Sequence, residues 1–196
     1  MKEHPILMSV PMVRALKKGQ KNQTRRLVNL DYIDTVKDGV PFFADEYGDY
    51  HKTIESCPYK VGDHLWVRET WRNHAYPLVF PSFTRYAADN IVVEIGKGPW
   101  RPSIHMPRWA SRITLEITDV RVQRVEEIRE EDAISEGVTF DGKYWRGATH
   151  AAKGTPRCMV SAKDAFMDVW DEIYGKRGCG WETNPWVWAY TFKVVK

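Results

Sequence analysis

The sequence predicts an α+β fold: a small mixed β-barrel with one helix near its N-terminus and further helices on its periphery. Three observations carry this. Ser111 to Arg124 alternates apolar and polar residues, with Ile113, Leu115 and Ile117 on one side. Shorter strand-like runs lie at His64–Arg68 and from Pro185 onward, and helical spacing is confined to three separate segments.

Taken in order, Pro5–Ser9 reads as a strand. Pro11 then sits in the first turn of a helix in which Met12, Val13 and Leu16 recur at helical spacing until Gly19 stops it. Thr24–Val28 has the β-branched and apolar content of a strand, although Arg25 and Arg26 interrupt its alternation. Residues 29–60, 75–103 and 139–160 lack sustained periodicity, so they read as irregular or hairpin-bearing insertions in one domain spanning 1–196. Val61-Gly62-Asp63 is a turn feeding the strand His64–Arg68, and Ile91–Ile95 is a further short strand. In the long strand Ser111–Arg124, Asp119 marks a bulge. Glu130–Glu136 follows as a short helix with an acidic first turn, closed by Gly137. Ser161 caps a helix whose stripe is Ala165, Phe166, Val169, Trp170 and Ile173, ending at Gly175. The last strand begins at Pro185 and is apolar on both sides, with Val187 and Ala189 on one and Trp188, Tyr190 and Phe192 on the other.

At 196 residues and 43% hydrophobic content, the chain has material for one sizeable core. Its formal charge is only +3, yet residues 1–30 hold seven Lys and Arg side chains against the single carboxylate of Glu3. That local field suits a nucleotide or nucleic acid, and it equally suits a solvated helix face. Cys57, Cys158 and Cys179 form no CxxC pair, so they read as reduced structural thiols. The first residues hold too short an apolar run for a signal peptide, and no segment approaches the ~20 apolar residues of a membrane span. A cytoplasmic protein with no membrane association is expected. Most of the nine Trp fall in strand-like stretches and read as core.

The chemistry concentrates at Gly19-Gln20-Lys21-Asn22-Gln23-Thr24-Arg25-Arg26, which sets an amine, a hydroxyl and two guanidinium groups just past a helix end. Such a group can hold an anionic or amide-bearing ligand, or activate a nucleophile; a solvated helix-to-strand turn carries the same residues. A second cluster joins Arg68, Glu69 and Trp71 to Arg108 and Trp109. Indoles stack on bases and guanidinium groups pair with phosphate. Alternatively, Trp71 and Trp109 cap the core while Arg68 and Arg108 pair with acids such as Glu69. His64, His74 and His105 lack a metal-ligand spacing, so neither metal nor cofactor is expected.

Four motifs together resemble the ASCH domain of the PUA-like superfamily. They are Gly19, Lys21, Thr24 and Arg26 (G-x-K-x-x-T-x-R); Gly62, Asp63, Leu65 and Val67 (G-D-x-L-x-V); Glu131, Asp132, Ala133, Glu136 and Gly137 (E-D-A-x-x-E-G); and the strand Val187 to Val194. The chain is most similar to the larger versions carried by bacteriophages and prophages. The resemblance implies a PUA-like barrel with a cleft of nucleoside or RNA size. Some small members are amidohydrolases that remove the acetyl group of N4-acetylcytidine with a Lys, a Thr and a Glu, positions matched here by Lys21, Thr24 and Glu136. Arg26, Arg68, Glu69, Trp71, Arg108 and Trp109 are then candidates for substrate binding. Asn22 and Gln23 depart from the smaller members, which more often carry a hydroxyl and an aliphatic residue there. A non-catalytic RNA-binding module and a metal-independent ribonuclease are the other activities attached to such domains.

Amide cleavage needs an activated nucleophile, a proton for the leaving amine and donors at the developing oxyanion. Thr24 can attack if Lys21 takes its proton, which requires a neutral amine, its pKa drawn from about 10.4 to roughly 7–8 by burial and like charge. Arg25 and Arg26 supply part of that repulsion. Glu136 then holds the exocyclic nitrogen or relays the proton to it.

Overall fold

The computed structural model describes residues 1–29, 35–37, 40–44, 47, 49–74, 83–89, 99–147 and 159–196. At its centre is a five-stranded mixed sheet in the spatial order β1 (Glu3–Leu7), β6 (His64–Arg68), β9 (Thr114–Arg124), β12 (Trp186–Val194), β2 (Gln23–Leu27). Only β1 and β6 run parallel, with Ile6 opposite Val67; every other neighbouring pair is antiparallel. Helix α1 (Val10–Lys17) joins the two edge strands, passing from one side of the sheet to the other.

The sheet curls strongly. A flat five-stranded sheet would hold its edges about 19 Å apart at ~4.8 Å per strand. Here the guanidinium of Arg26 on β2 donates from Nη2 to the carbonyl of Leu7 at the end of β1, 2.8 Å away. Among the described residues no ladder joins β1 to β2, so the curl ends in a side-chain bridge. The concave side holds the main core, including Ile6, Val13, Leu65, Val67, Leu115, Ile117, Trp188, Tyr190 and Phe192. On the convex side Val187 packs with Phe166 and Trp170 of α3 (Ala162–Tyr174) and with Ala133 of α2 (Glu130–Ser135). This is why β12 is apolar on both faces. Leu115 is wholly buried at the centre of the concave core. Leu115→Ala is expected to cost about 2–5 kcal/mol, read as a fall in urea midpoint at unchanged m-value.

The expected strands recur with shifted ends. The first strand runs Glu3–Leu7 rather than Pro5–Ser9, because Ser9 is already the N-cap of α1. The bulge expected at Asp119 lies beside it: the β9–β12 register shifts between Thr191 and Phe192, which face Asp119 and Ile117 and leave Thr118 unpaired. The long strand begins only at Thr114, after a tight turn over Arg108–Ala110. Ser161 caps α3 as expected, its Oγ accepting from the Asp164 amide at 3.0 Å.

The insertions carry their own small sheets: β3 (Thr35–Lys37), β4 (Val40–Ala44) and β5 (Tyr50–Lys52) form an antiparallel trio. β7 (Trp71–His74) pairs with β8 (Phe83–Tyr86), and β10 (Thr139–Phe140) with β11 (Trp145–Arg146). The strand expected at Ile91–Ile95, and Cys158, lie outside the described residues.

Candidate functional site

Two glycine-terminated helices meet end to end. After α1, Gly19 adopts φ +69°, its amide bonds to the Leu16 carbonyl, and that of Gln20 reaches back to Ala15. After α2, Gly137 adopts φ +100°, bonding to Ile134 while Val138 reaches Ala133. Both are Schellman closures, which need a left-handed residue just past the helix. Nothing lies within 4 Å of a Cβ built on Gly19, so the requirement there is backbone conformation and not space. The turned chains then pair as a short antiparallel bridge, Lys21 with Glu136, and the Asn22 amide donates to Ser135 O at 2.9 Å.

The bridge places the Lys21 ammonium or amine 2.6 Å from Glu136 Oε2 and 2.9 Å from the Glu136 carbonyl. Lys21 is 2% exposed. Its two acceptors satisfy both N–H groups of a neutral amine; an ammonium would leave its third N–H without an acceptor among the described residues. Burial pushes the Lys21 pKa below its ordinary value. The Glu136 carboxylate opposes that shift and the Arg26 and Arg25 charges reinforce it, with burial prevailing.

Glu136 has a second cation. Arg25, its side chain 1% exposed, donates from Nη1 to Glu136 Oε1 at 3.0 Å and lies 3.3 Å from Asp132 Oδ2 through Nη2. Asp132 and Glu136 are four residues apart and present their carboxylates to one side of α2. Gln23 completes the set, donating to Asp132 Oδ1 at 2.8 Å, with Arg121 at 3.4 Å from the same oxygen. Burial would raise the Asp132 carboxyl, yet the Gln23 hydrogen bond and the Arg121 and Arg25 charges hold it below the usual range.

Thr24 lies between these residues and points to the other face of β2, opposite Tyr190. It is 1% exposed, and its hydroxyl forms no hydrogen bond among the described residues. Because β2 is an edge strand, side chains from both its faces border one cavity. Thr24, Arg25, Arg26 and Glu136 line it together with Met12 and the α3 residues Phe166 and Ile173. Its volume is about 30 Å³, room for a single water. A groove of about 590 Å³ adjoins it across Met12, Arg26 and Ile173, and a second of about 610 Å³ adjoins the first across Leu7 and Arg26. Arg26 therefore walls all three spaces.

The second cluster is divided. Arg68 lines the larger groove and donates to Ser103 O at 3.2 Å. Glu69 is 1% exposed and held by a two-pronged pair to Arg112, at 2.9 and 3.0 Å. Burial raises its carboxyl pKa against the pull of Arg112. Arg112 also reaches Asp89, itself bonded to Lys17 of α1, so the network fastens the β7–β8 hairpin to the sheet. Trp71 is buried with Met106 and Ala110, and Trp109, 67% exposed, meets it edge-on. Arg108 pairs with Glu3 on the surface. Among the described residues no group of three or more His, Cys, Asp and Glu side chains is arranged to hold a metal ion, and no helix is long and apolar enough to cross a membrane.

No family model matches the chain, and no curated protein matches it. Among solved structures, an ASCH domain from Lactobacillus crispatus is similar at 13% identity and TM-score 0.41, with 94% of this chain and 70% of that one aligned. Protein EF3133 from Enterococcus faecalis is similar at 9% identity and TM-score 0.40, with 93% and 65% aligned.

Proposed function

We propose that the chain binds an N4-acylated cytidine and hydrolyses its amide with Lys21, Thr24 and Glu136. The observation that supports this reading is the buried Lys21 amine, depressed in pKa and held by two acceptors of Glu136, a residue that borders one small cavity together with Thr24, whose hydroxyl forms no hydrogen bond among the described residues.

The nucleoside occupies the groove beside Arg26, and its acyl carbon meets Thr24. The Thr24 oxygen attacks that carbon while its proton passes, by way of the Glu136 carboxylate that borders the same cavity, to neutral Lys21. The C–N bond breaks, Lys21 returns the proton to the exocyclic nitrogen, and free cytidine departs from an acyl-threonine ester. Water then enters the small cavity, loses a proton to Lys21 and cleaves the ester, releasing the carboxylic acid and restoring Thr24. Glu136, itself held by Arg25, keeps the Lys21 amine in place throughout, and Arg26 borders the developing oxyanion. The direct test follows cytidine release from N4-acetylcytidine by the purified protein. Turnover that disappears in Lys21→Met is expected; absence of release from acetyl, propionyl and formyl derivatives would overturn the reading.

A further inference from the structure

The larger groove is chemically unlike the catalytic cavity. Its about 610 Å³ lies in the range of small-ligand sites, and it opens between the two edges of the curled sheet. Tyr59 forms a side, its ring 5.3 Å from that of Tyr190, which with Trp188 lies almost wholly buried beneath the groove. Among the described residues Arg26 and Arg68 are its charged ones, and no Asp or Glu lines it.

Both guanidinium groups are uncompensated. Arg26 spends one N–H on Leu7 O and touches Met8 Sδ; Arg68 spends Nε on Ser103 O and lies 5.5 Å over the Trp66 ring. Neither meets a carboxylate among the described residues. The acids of the neighbouring β1 and β6 segment are engaged elsewhere, Glu3 with Arg108 and Asp63 with the Lys2 and Lys60 amides and His4. Two unpaired guanidinium groups beside the Tyr59 ring, with Arg26 also bordering the Thr24 cavity, complement an anion carried on a flat ring system.

Resting on the nucleoside reading above, we infer that this groove is a phosphate subsite: the substrate is a phosphorylated cytidine, not the free nucleoside, with Arg26 and Arg68 on its phosphate ester. The phosphate can belong to a mononucleotide or to a strand of RNA. Arg26 then divides the ligand, acyl group on one side and phosphate on the other.

Binding separates this inference from catalysis, because it needs no turnover. Cytidine, cytidine 5′-monophosphate and a cytidine-containing RNA trinucleotide are titrated calorimetrically against the full chain at 50 mM and 300 mM salt. A gain of about tenfold or more over cytidine is expected for a phosphate-bearing ligand at low salt, shrinking at high salt. A gain for the mononucleotide alone marks the free nucleotide as ligand, and a gain for the trinucleotide alone marks RNA; either supports the subsite. Arg68→Gln, checked for folding by circular dichroism, is expected to remove most of the gain, and Arg68→Lys to keep part of it. Equal affinity for all three ligands, or a gain untouched by Arg68→Gln and by salt, overturns it, whether or not acylcytidine is hydrolysed.

Discussion

Glu136→Ala is expected to destabilise the native state by about 3–5 kcal/mol, the cost of removing one partner of a buried ion pair. Glu136 accepts from Lys21 and Arg25 at 2.6 and 3.0 Å, and the side chains of both donors are at most 1% exposed. Removing the carboxylate strands a guanidinium that cannot discharge, with Asp132 at 3.3 Å as its remaining acidic partner. Lys21→Met is expected to cost far less, because its charge is already disfavoured where it sits. The pH dependence checks this with a definite sign. Lys21 titrates lower when folded than its ordinary 10.5. Between those two pKa values the unfolded chain holds a proton that the native state has released, so stability from this residue rises with pH across that window. Cys57, Tyr59 and Tyr190 titrate higher when folded, chiefly through burial, and act in the opposite sense at alkaline pH. The measurement is therefore a difference: urea unfolding of wild type and Lys21→Met from pH 6 to 10, with wild type gaining relative to the variant as pH rises. A difference that stays flat, together with a Glu136→Ala cost below about 1 kcal/mol, would mean that water reaches the pair and screens it.

The parts of this fold that were legible in the sequence are those in which local pattern and tertiary environment agree. The alternation of Leu115 and Ile117, with Ile113 just before the strand, is the concave face of β9, the stripe from Ala165 to Ile173 is the buried face of α3, and Gly19 and Gly137 are left-handed helix ends. Lys21 and Glu136, singled out separately from motifs 115 residues apart, meet at 2.6 Å. What was not legible depends on burial. Arg25 looks like a surface charge in sequence, and only the α2 carboxylates arriving from Asp132 and Glu136 make it an interior one. The pattern Gln23-x-Arg25 facing Asp132-x-x-x-Glu136 is the signal that could have found this set, being spaced for one strand face and one helix face. The hairpin β7–β8 was hidden for a related reason. Arg72 and Arg85 face each other across its ladder, so no apolar alternation announces it, and its attachment comes from the Glu69–Arg112–Asp89 network.

Thr24→Ala is expected to lower the rate of cytidine release by about ten-thousand-fold or more, the scale on which removing a nucleophile acts. The loss should be chiefly one of chemistry: the hydroxyl forms no hydrogen bond among the described residues, so the stability cost is that of one buried methyl group, about 1 kcal/mol. Thr24→Ser keeps an attacking oxygen and should retain activity within about tenfold, because its extra rotamer freedom weakens alignment and leaves the chemistry intact. In the proposed mechanism the Lys21 base imposes a pH profile on both. Attack needs Lys21 uncharged, so kcat should climb with pH to a plateau whose midpoint lies below the ordinary lysine value of 10.5. Substituting Arg25 by Gln would remove one of the two like charges that depress Lys21, moving that midpoint upward while KM changes little, since Arg25 faces Glu136 and Asp132 across β2 from the grooves. Full activity in Thr24→Ala would transfer the nucleophile's role to water. The small cavity has room for one, and Lys21 would then activate it directly.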